Sequence, residues 1–594
     1  MTILYYRKFY TMSSFRPRKI ILFFIFLFSV CIGILFYTKD NFIYDHLSRE
    51  VFQNELKDNT LSLHYTLRNP EKYGIRQGEA VLPVYSKENR QAVSAACSDY
   101  LQQLEHIDKS RLTASRKSSY TLAKRYFTLQ NKLNQYPYYS EPCTPDSGMQ
   151  TTLPILFSEY RFYDTDDIEN YLSLLSQLDE YFEGLCDFEI EKEAAGLFMS
   201  DLNAQKVIDE CLSYVELSKH PDTHFLVTSF EERLKKFREA YPEKISKEAL
   251  SDYLARNRAI IEEQLPKGYQ SLANTFASLK GKKPISSGLG STKDGKTFYT
   301  LLLRKNTGSY LSMDAIEQLL FEQFDSLCQS IRQTDPRQSV VATPQITAEE
   351  MLSILKKEMS DNYPVLPQND FSQTKPLCDI KYIDKALAGY CAPAFFLVPP
   401  IDDYDTNIIY INPQNNASAL SLFTTLAHEG FPGHLYQTVY AHQSRLYSPS
   451  NPIRSILSYE GYCEGWALYV ELESYKYAEK YYSISGQLQQ LSRNLDLCLC
   501  ALLDFQIHYR NMNPDHVYAF LNSLGVSGNA SETLYEYIVN EPTTYLKYYL
   551  SYLEIMSLKE TARQKWGSSY SDYRFHKFYL DAGPSDFVTL RENL

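Results

Sequence analysis

His428 and Glu429 close an apolar stretch, SLFTTLA, and are followed by Gly430, Phe431, Pro432, Gly433 and His434. Imidazoles bind divalent metals, and a carboxylate beside a ligand histidine can act as base toward a metal-activated water. The common arrangement, H-E-x-x-H, sets two histidines on one helix face with the glutamate as base. Here the spacing is H-E-x-x-x-x-H. Six residues of regular helix turn about 600°, which leaves the second histidine about 120° away around the axis. Convergence therefore requires a break. Pro432 does not fit a helix interior and Gly433 permits unusual backbone, so F-P-G predicts a kink or bulge that swings His434 back toward His428.

Downstream, SYEGYCEGWALYVELES (Ser458–Ser474) reads as a helix with Glu460, Glu464 and Glu471 on one face. Three acids on a face ordinarily mark a solvated surface. Trp466, Ala467, Leu468 and Tyr469 instead mark a buried helix, and buried acids need a cation or partners. Two histidines and one glutamate, with a position left open for water, make a catalytic zinc sphere. The competing reading is a pair of satisfied core histidines. His442 is expected on a helix surface. His220 and His224 have ligand-like spacing, but Pro221 argues against the regular helix it needs.

Five segments resemble a known family. HEGFPGHLYQ (His428–Gln437) followed by EGWALYVE (Glu464–Glu471) resembles the bacterial domain-of-unknown-function 885 family, regarded as zincin-like metallopeptidases. DGKTFYTLLLRKNTGSYLSMDAIEQL (Asp294–Leu319), EPTTYLKYYLSYLEIMSLK (Glu541–Lys559) and FHKFYLDAGPSDF (Phe575–Phe587) resemble further blocks of it. The likeness runs from about Asn89 to Leu594. It implies one zinc ion held by His428, His434 and Glu464, with Glu429 as base and Glu471 orienting a ligand. Tyr548 and His576 stand as candidate oxyanion donors, each with ordinary packing as the alternative. The chain departs from the family pattern at Leu435, Thr544, Tyr545, Ser551 and Asp586. These leave the metal core intact and bear on the substrate-facing C-terminal part.

The elements that must position these groups are mostly helical. The expected fold is mainly α, a large helical zincin-like metallopeptidase fold with a small β-sheet beside the active-site helix and a central cleft. SLLSQLDEYFEGL (Ser173–Leu185) and FEERLKKFREAY (Phe230–Tyr241) carry helical apolar spacing, and Ser312–Ile331 reads as a helix capped by Ser312. Thr406–Pro413 reads as a strand, and SSGLGSTKDGKTFYTLLLRKN (Ser286–Asn306) as a Gly-rich turn followed by a short strand or hairpin. The 50 tyrosines suit helices packing on one another, or a wet aromatic cleft.

Arg7, Lys8, Arg16, Arg18 and Lys19 precede an uncharged run, Ile20–Tyr37. As a helix that run spans about 27 Å, enough for a bilayer core, and its basic flank faces the cytoplasm. No alanine occurs in the first fifty residues, so an A-x-A cleavage site is missing and an uncleaved anchor is expected. Beyond it, 55 bases face 72 acids, a net charge near −17 that speaks against nucleic acid. The cysteines include no C-x-x-C, so thiolate zinc sites are unsupported; Cys498 and Cys500 read as buried thiols.

The expected organisation is a cytoplasmic basic tail (1–19), a transmembrane signal anchor (20–37) and a juxtamembrane segment (38–79). An N-terminal helical region (80–279) and a catalytic region (280–594) follow. The function expected is a single-pass, membrane-anchored extracellular zinc peptidase acting on peptide substrates. The alternatives are a non-catalytic surface protein binding peptides or wall fragments, and a zinc hydrolase of a non-peptide amide or ester.

Overall fold

The computed structural model describes residues 38–594 except 146, 283–286, 335–345, 367–377, 384–387, 389–391, 404–406, 415–417, 445, 448, 450 and 483–485. The expected anchor, Ile20–Tyr37, and the basic tail before it lie outside the described residues. Among those described, no helix is long and apolar enough to cross a membrane.

The chain is mainly helical. Helix α1 covers 38–57, α2 Ala114–Leu133 and α3 Gly295–Thr307. A small sheet follows: β1 (Asp379–Tyr382), β2 (Ala394–Leu397) and β3 (Ile408–Ile411). Then come α4 (Ala419–Glu429), α5 (His434–Gln443), α6 (Glu460–Tyr482), α7 (Gly486–His508), α8 (Thr544–Trp566) and α9 (Asp572–Ala582). The sheet order is β1-β3-β2, with β3 parallel to β1 and antiparallel to β2. All four residues of β3 are buried, as a short β-branched run between two partners requires. The edge of β2 is turned to α4.

Helix α6 is buried on more than one side because two cores meet on it. Trp466, Tyr469 and Val470 join one that also holds Phe423 of α4, Tyr436 of α5 and Tyr579 of α9. Leu468 and Leu472 join another with Tyr299, Phe505 and Tyr549. Tyr44, Leu47 and Val51 of α1 belong to the first core, so the start of the described chain packs with the elements of the site. A third core fills the N-terminal helical region, around Phe157, Tyr171, Phe182, Tyr214 and Tyr269. Tyrosines tie these helices together. The rings of Tyr462 and Tyr579 stack at 4.4 Å, and each hydroxyl donates to the other residue's carbonyl, at 2.8 and 2.9 Å.

Ser312 caps its helix as expected, accepting the Ala315 N–H at 3.2 Å. Two expectations are corrected. The segment read as a strand or hairpin after the Gly-rich turn is helix α3. Thr297, Phe298, Tyr299 and Thr300 favour strands individually, but the leucines that follow favour helix, Phe298, Tyr299, Leu301 and Leu303 are buried, and Gly308 at φ 69° closes the helix. His442 is buried rather than on a helix surface; its ring meets Tyr447 edge-on at 5.3 Å, and burial pushes its pKa down to about 4.

Candidate metal centre

Ser418 opens α4 by accepting the Ser421 N–H at 3.1 Å, and Phe423, Leu426 and Ala427 seat the helix in the core. The helix stops at Glu429. After the turn Gly430-Phe431-Pro432-Gly433, α5 starts at His434, so the break demanded by the histidine spacing is present. A Cβ on Gly433 would lie 1.7 Å from the His428 carbonyl oxygen, so only glycine lets the chain return this closely. Trp466 of α6 fixes the turn by donating its indole N–H to the Pro432 carbonyl at 2.8 Å. The outcome is two imidazoles with centroids 4.8 Å apart and planes at 81°.

Glu464 completes the group from α6. Its Oε2 lies 3.6 Å from His428 Nε2 and 3.3 Å from His434 Nε2, and that buried oxygen has no hydrogen-bond partner. One ligand atom from each residue falls within 4.8 Å of the others, so the three could hold a metal ion. Ligands about 2.05 Å from a tetrahedral zinc sit about 3.3 Å apart. Donor type, spacing and the orphaned oxygen fit such an ion. The side chains are 12 to 19% exposed, which leaves an approach from solvent. Without a metal, burial opposes charge on His428, but the neighbouring carboxylates of Glu464 and Glu471 outweigh it and raise its pKa to about 10. Burial likewise opposes the Glu464 carboxylate, and the two imidazoles hold its pKa well below the usual carboxylate range.

Glu471 lies two turns along α6. Its Oε2 is 3.0 Å from His428 Nδ1, and its Oε1 accepts Arg493 Nε at 2.9 Å. Bonded to a carboxylate, Nδ1 carries the proton and Nε2 is turned to Glu464. Arg493, on α7, was not singled out in the sequence, where nothing distinguishes it from other basic residues of an amphipathic helix.

Glu429 points elsewhere: its Oε2 accepts the Phe396 N–H on the edge of β2 at 2.9 Å. Tyr548 on α8 brings its ring within 6.2 Å of the His428 ring. Burial, with the negative charges of Glu464 and Glu429, raises its phenol well above the ordinary range, so the hydroxyl keeps its proton. His576 is placed differently. Its Nε2 is 2.9 Å from the Tyr469 hydroxyl, its Nδ1 is 2.7 Å from the Asn362 carbonyl, and its ring stacks on Tyr363 at 4.3 Å. Both nitrogens are thus engaged in the core, and burial holds its pKa at about 4.

The departures at the C-terminal positions are structural fits. Gly465 brings α6 against Ser551 of α8, whose hydroxyl donates to the Thr307 carbonyl at 3.2 Å. Asp586 caps the Phe587–Asn593 helix through the Thr589 N–H at 2.7 Å and pairs with Arg125 at 3.0 Å. Leu435 is fully buried.

The fold and site together define a helical protein with a candidate His/His/Glu metal centre. The chain belongs to the family described as "Bacterial protein of unknown function (DUF885)", matched over residues 70–594. No curated protein sequence matches it. Among solved structures it is similar to "the putative lipoprotein from Colwellia psychrerythraea", at 19% identity and a TM-score of 0.77, over 93% of this chain and 97% of that one. It is also similar to "a putative lipoprotein of unknown function from Shewanella oneidensis", at 15% identity and a TM-score of 0.60, over 92% of this chain and 98% of that one. At these identities the likeness shows the fold.

Proposed function

We propose that the chain is a membrane-anchored extracellular zinc metallopeptidase. The observation that carries this reading is the convergence of His428, His434 and Glu464 beside a further acid, Glu429, that is not among them. Zinc held by those three residues would supply Lewis acidity toward a carbonyl and toward water. The remaining work belongs to the chain. Glu429 is held at Oε2 by the Phe396 N–H. Its Oε1 takes a proton from the attacking water and delivers it to the amine nitrogen as the C–N bond breaks. The Tyr548 hydroxyl, kept protonated by its surroundings, donates to the carbonyl oxygen as that oxygen gains charge. Glu471 fixes the tautomer and orientation of His428.

Anchoring is read from Ile20–Tyr37 and the bases before it, and the lipoprotein descriptions of the two similar structures agree with attachment at the cell surface. Two measurements on the purified full chain test the proposal: metal content, and digestion of a peptide library with and without a chelator. One zinc per chain and chelator-sensitive cleavage are expected. A chain that takes up no zinc and cleaves nothing refutes the peptidase. Native protein whose amino terminus begins after Tyr37 refutes the anchor.

A further inference from the structure

Beyond the basic amino-terminal tail, the acidic chain carries a further conspicuous basic stretch. From Lys109 to Leu133, KSRLTASRKSSYTLAKRYFTLQNKL holds seven bases and no acid. Most of it is helix α2, and it borders a groove of about 530 Å³ shared with α3. Lys109, Lys124, Lys132 and Arg304 line this groove with positive charge, together with the buried Tyr120 and the exposed Tyr310. Arg125 also lines it but is spoken for by Asp586 and Glu592, and Lys124 lies 3.8 Å from Glu105. Lys109, Lys132 and Arg304 form no ion pair among the described residues. The Arg304 Nε–H is buried without an acceptor, a donor set for an anion.

The groove's position gives the anion a source. The start of α2 is tied to the first turns of α1. Arg111 pairs with Asp40 at 3.3 Å, the Thr113 N–H donates to Asn41 at 3.0 Å, and Arg116 pairs with Asp45 at 2.7 Å. Residue 38 directly follows the apolar run Ile20–Tyr37. At the helical rise, Asp40 to Asp45 stand about 5 to 12 Å beyond that run, the depth of a headgroup layer.

We propose that this groove binds the phosphate headgroup of an anionic phospholipid in the membrane holding the chain, fixing how the globular part stands on the bilayer. The cations meet the phosphate, with the Arg304 N–H donating to it, and the exposed Tyr310 ring packs on the glycerol and upper acyl carbons. This rests on the anchoring part of the reading above and is independent of the metal site.

The test uses the full chain in a neutral detergent, titrated with soluble dihexanoyl phosphatidylglycerol, its phosphatidylcholine counterpart, and inorganic phosphate. Saturable binding of the phosphatidylglycerol alone is expected. Lys109→Gln with Lys132→Gln should weaken it by about thirtyfold, each surface cation contributing about fivefold. Both lysines are exposed, so the melting temperature should not move; if it does, Lys132→Gln alone should give about a fivefold loss. Equal binding of both lipids, or no loss in the variants, overturns the proposal. Phosphate binding as tightly as the phosphatidylglycerol would assign the groove to a small free anion and overturn the lipid. Because the titration depends on neither zinc nor the amino terminus, its failure is separable from failure of the peptidase or of the anchor.

Discussion

Glu471 bridges His428 Nδ1 at 3.0 Å and Arg493 Nε at 2.9 Å, so one carboxylate on α6 couples the end of α4 to α7. The bridge gives the histidine a fixed tautomer before any ion arrives. Glu471→Gln retains the shape but can present an N–H to Nδ1. Zinc affinity is expected to fall between about tenfold and a hundredfold, with activity restored at saturating zinc. Zinc titration against a competing chelator reads this directly.

Gly433→Ala places a methyl 1.7 Å from the His428 carbonyl oxygen, in a turn whose outlet is a proposed ligand. The backbone must move. A loss of about 1 to 3 kcal/mol in unfolding free energy is expected, with zinc binding lost disproportionately. Urea denaturation and metal analysis on the same preparation check both effects.

The candidate ligands were legible because each lies in a short local pattern. Pro432 and Gly433 announced the break, and a helix face announced Glu464 with Glu471. Arg493 and the Phe396 N–H were not legible, because their roles exist only once α7 and the β2 edge are packed beside α4. The run TFYTLLL misled because its Thr-Phe-Tyr-Thr half favours strands, whereas its leucines and its burial between helices decide the conformation. His576, read from an F-H pair, sits where both nitrogens serve the core. A single side chain in a sequence does not disclose which way its polar atoms face.

Tyr548→Phe removes the hydroxyl of a ring centred 6.2 Å from that of His428, and no proposed zinc ligand. A fall in kcat of about a hundredfold or more is expected, with KM and zinc content close to wild type. Steady-state kinetics on a peptide found by the library digest supply the comparison. A variant as active as wild type would return Tyr548 to ordinary packing.

Asp504 gives a pH dependence away from the site. It is fully buried, accepts from the Tyr299 hydroxyl at 2.8 Å and the Thr543 N–H at 3.1 Å, and burial raises its pKa to about 8. Its folded value therefore lies above the unfolded value of about 3.9, and the folded chain holds the extra proton between the two. The stability Asp504 contributes is full below about 3.9 and is lost as pH rises toward about 8. Asp504→Asn does not titrate. The urea midpoint of wild type should thus fall relative to that of the variant between pH 5 and pH 8. A constant difference would show that Asp504 keeps an ordinary pKa.

The division of labour between Glu429 and Glu464 is the core of the account, and Glu429→Gln tests it most directly, with Glu464→Gln alongside. Glu429 meets the Phe396 N–H rather than the histidine pair, whereas Glu464 lies within 3.6 Å of both imidazoles. The measurement is zinc per chain together with peptide turnover. Glu429→Gln should keep its zinc and lose at least about a hundredfold in turnover, and Glu464→Gln should lose both. Loss of zinc from Glu429→Gln, with metal and activity kept in Glu464→Gln, would contradict the assignment.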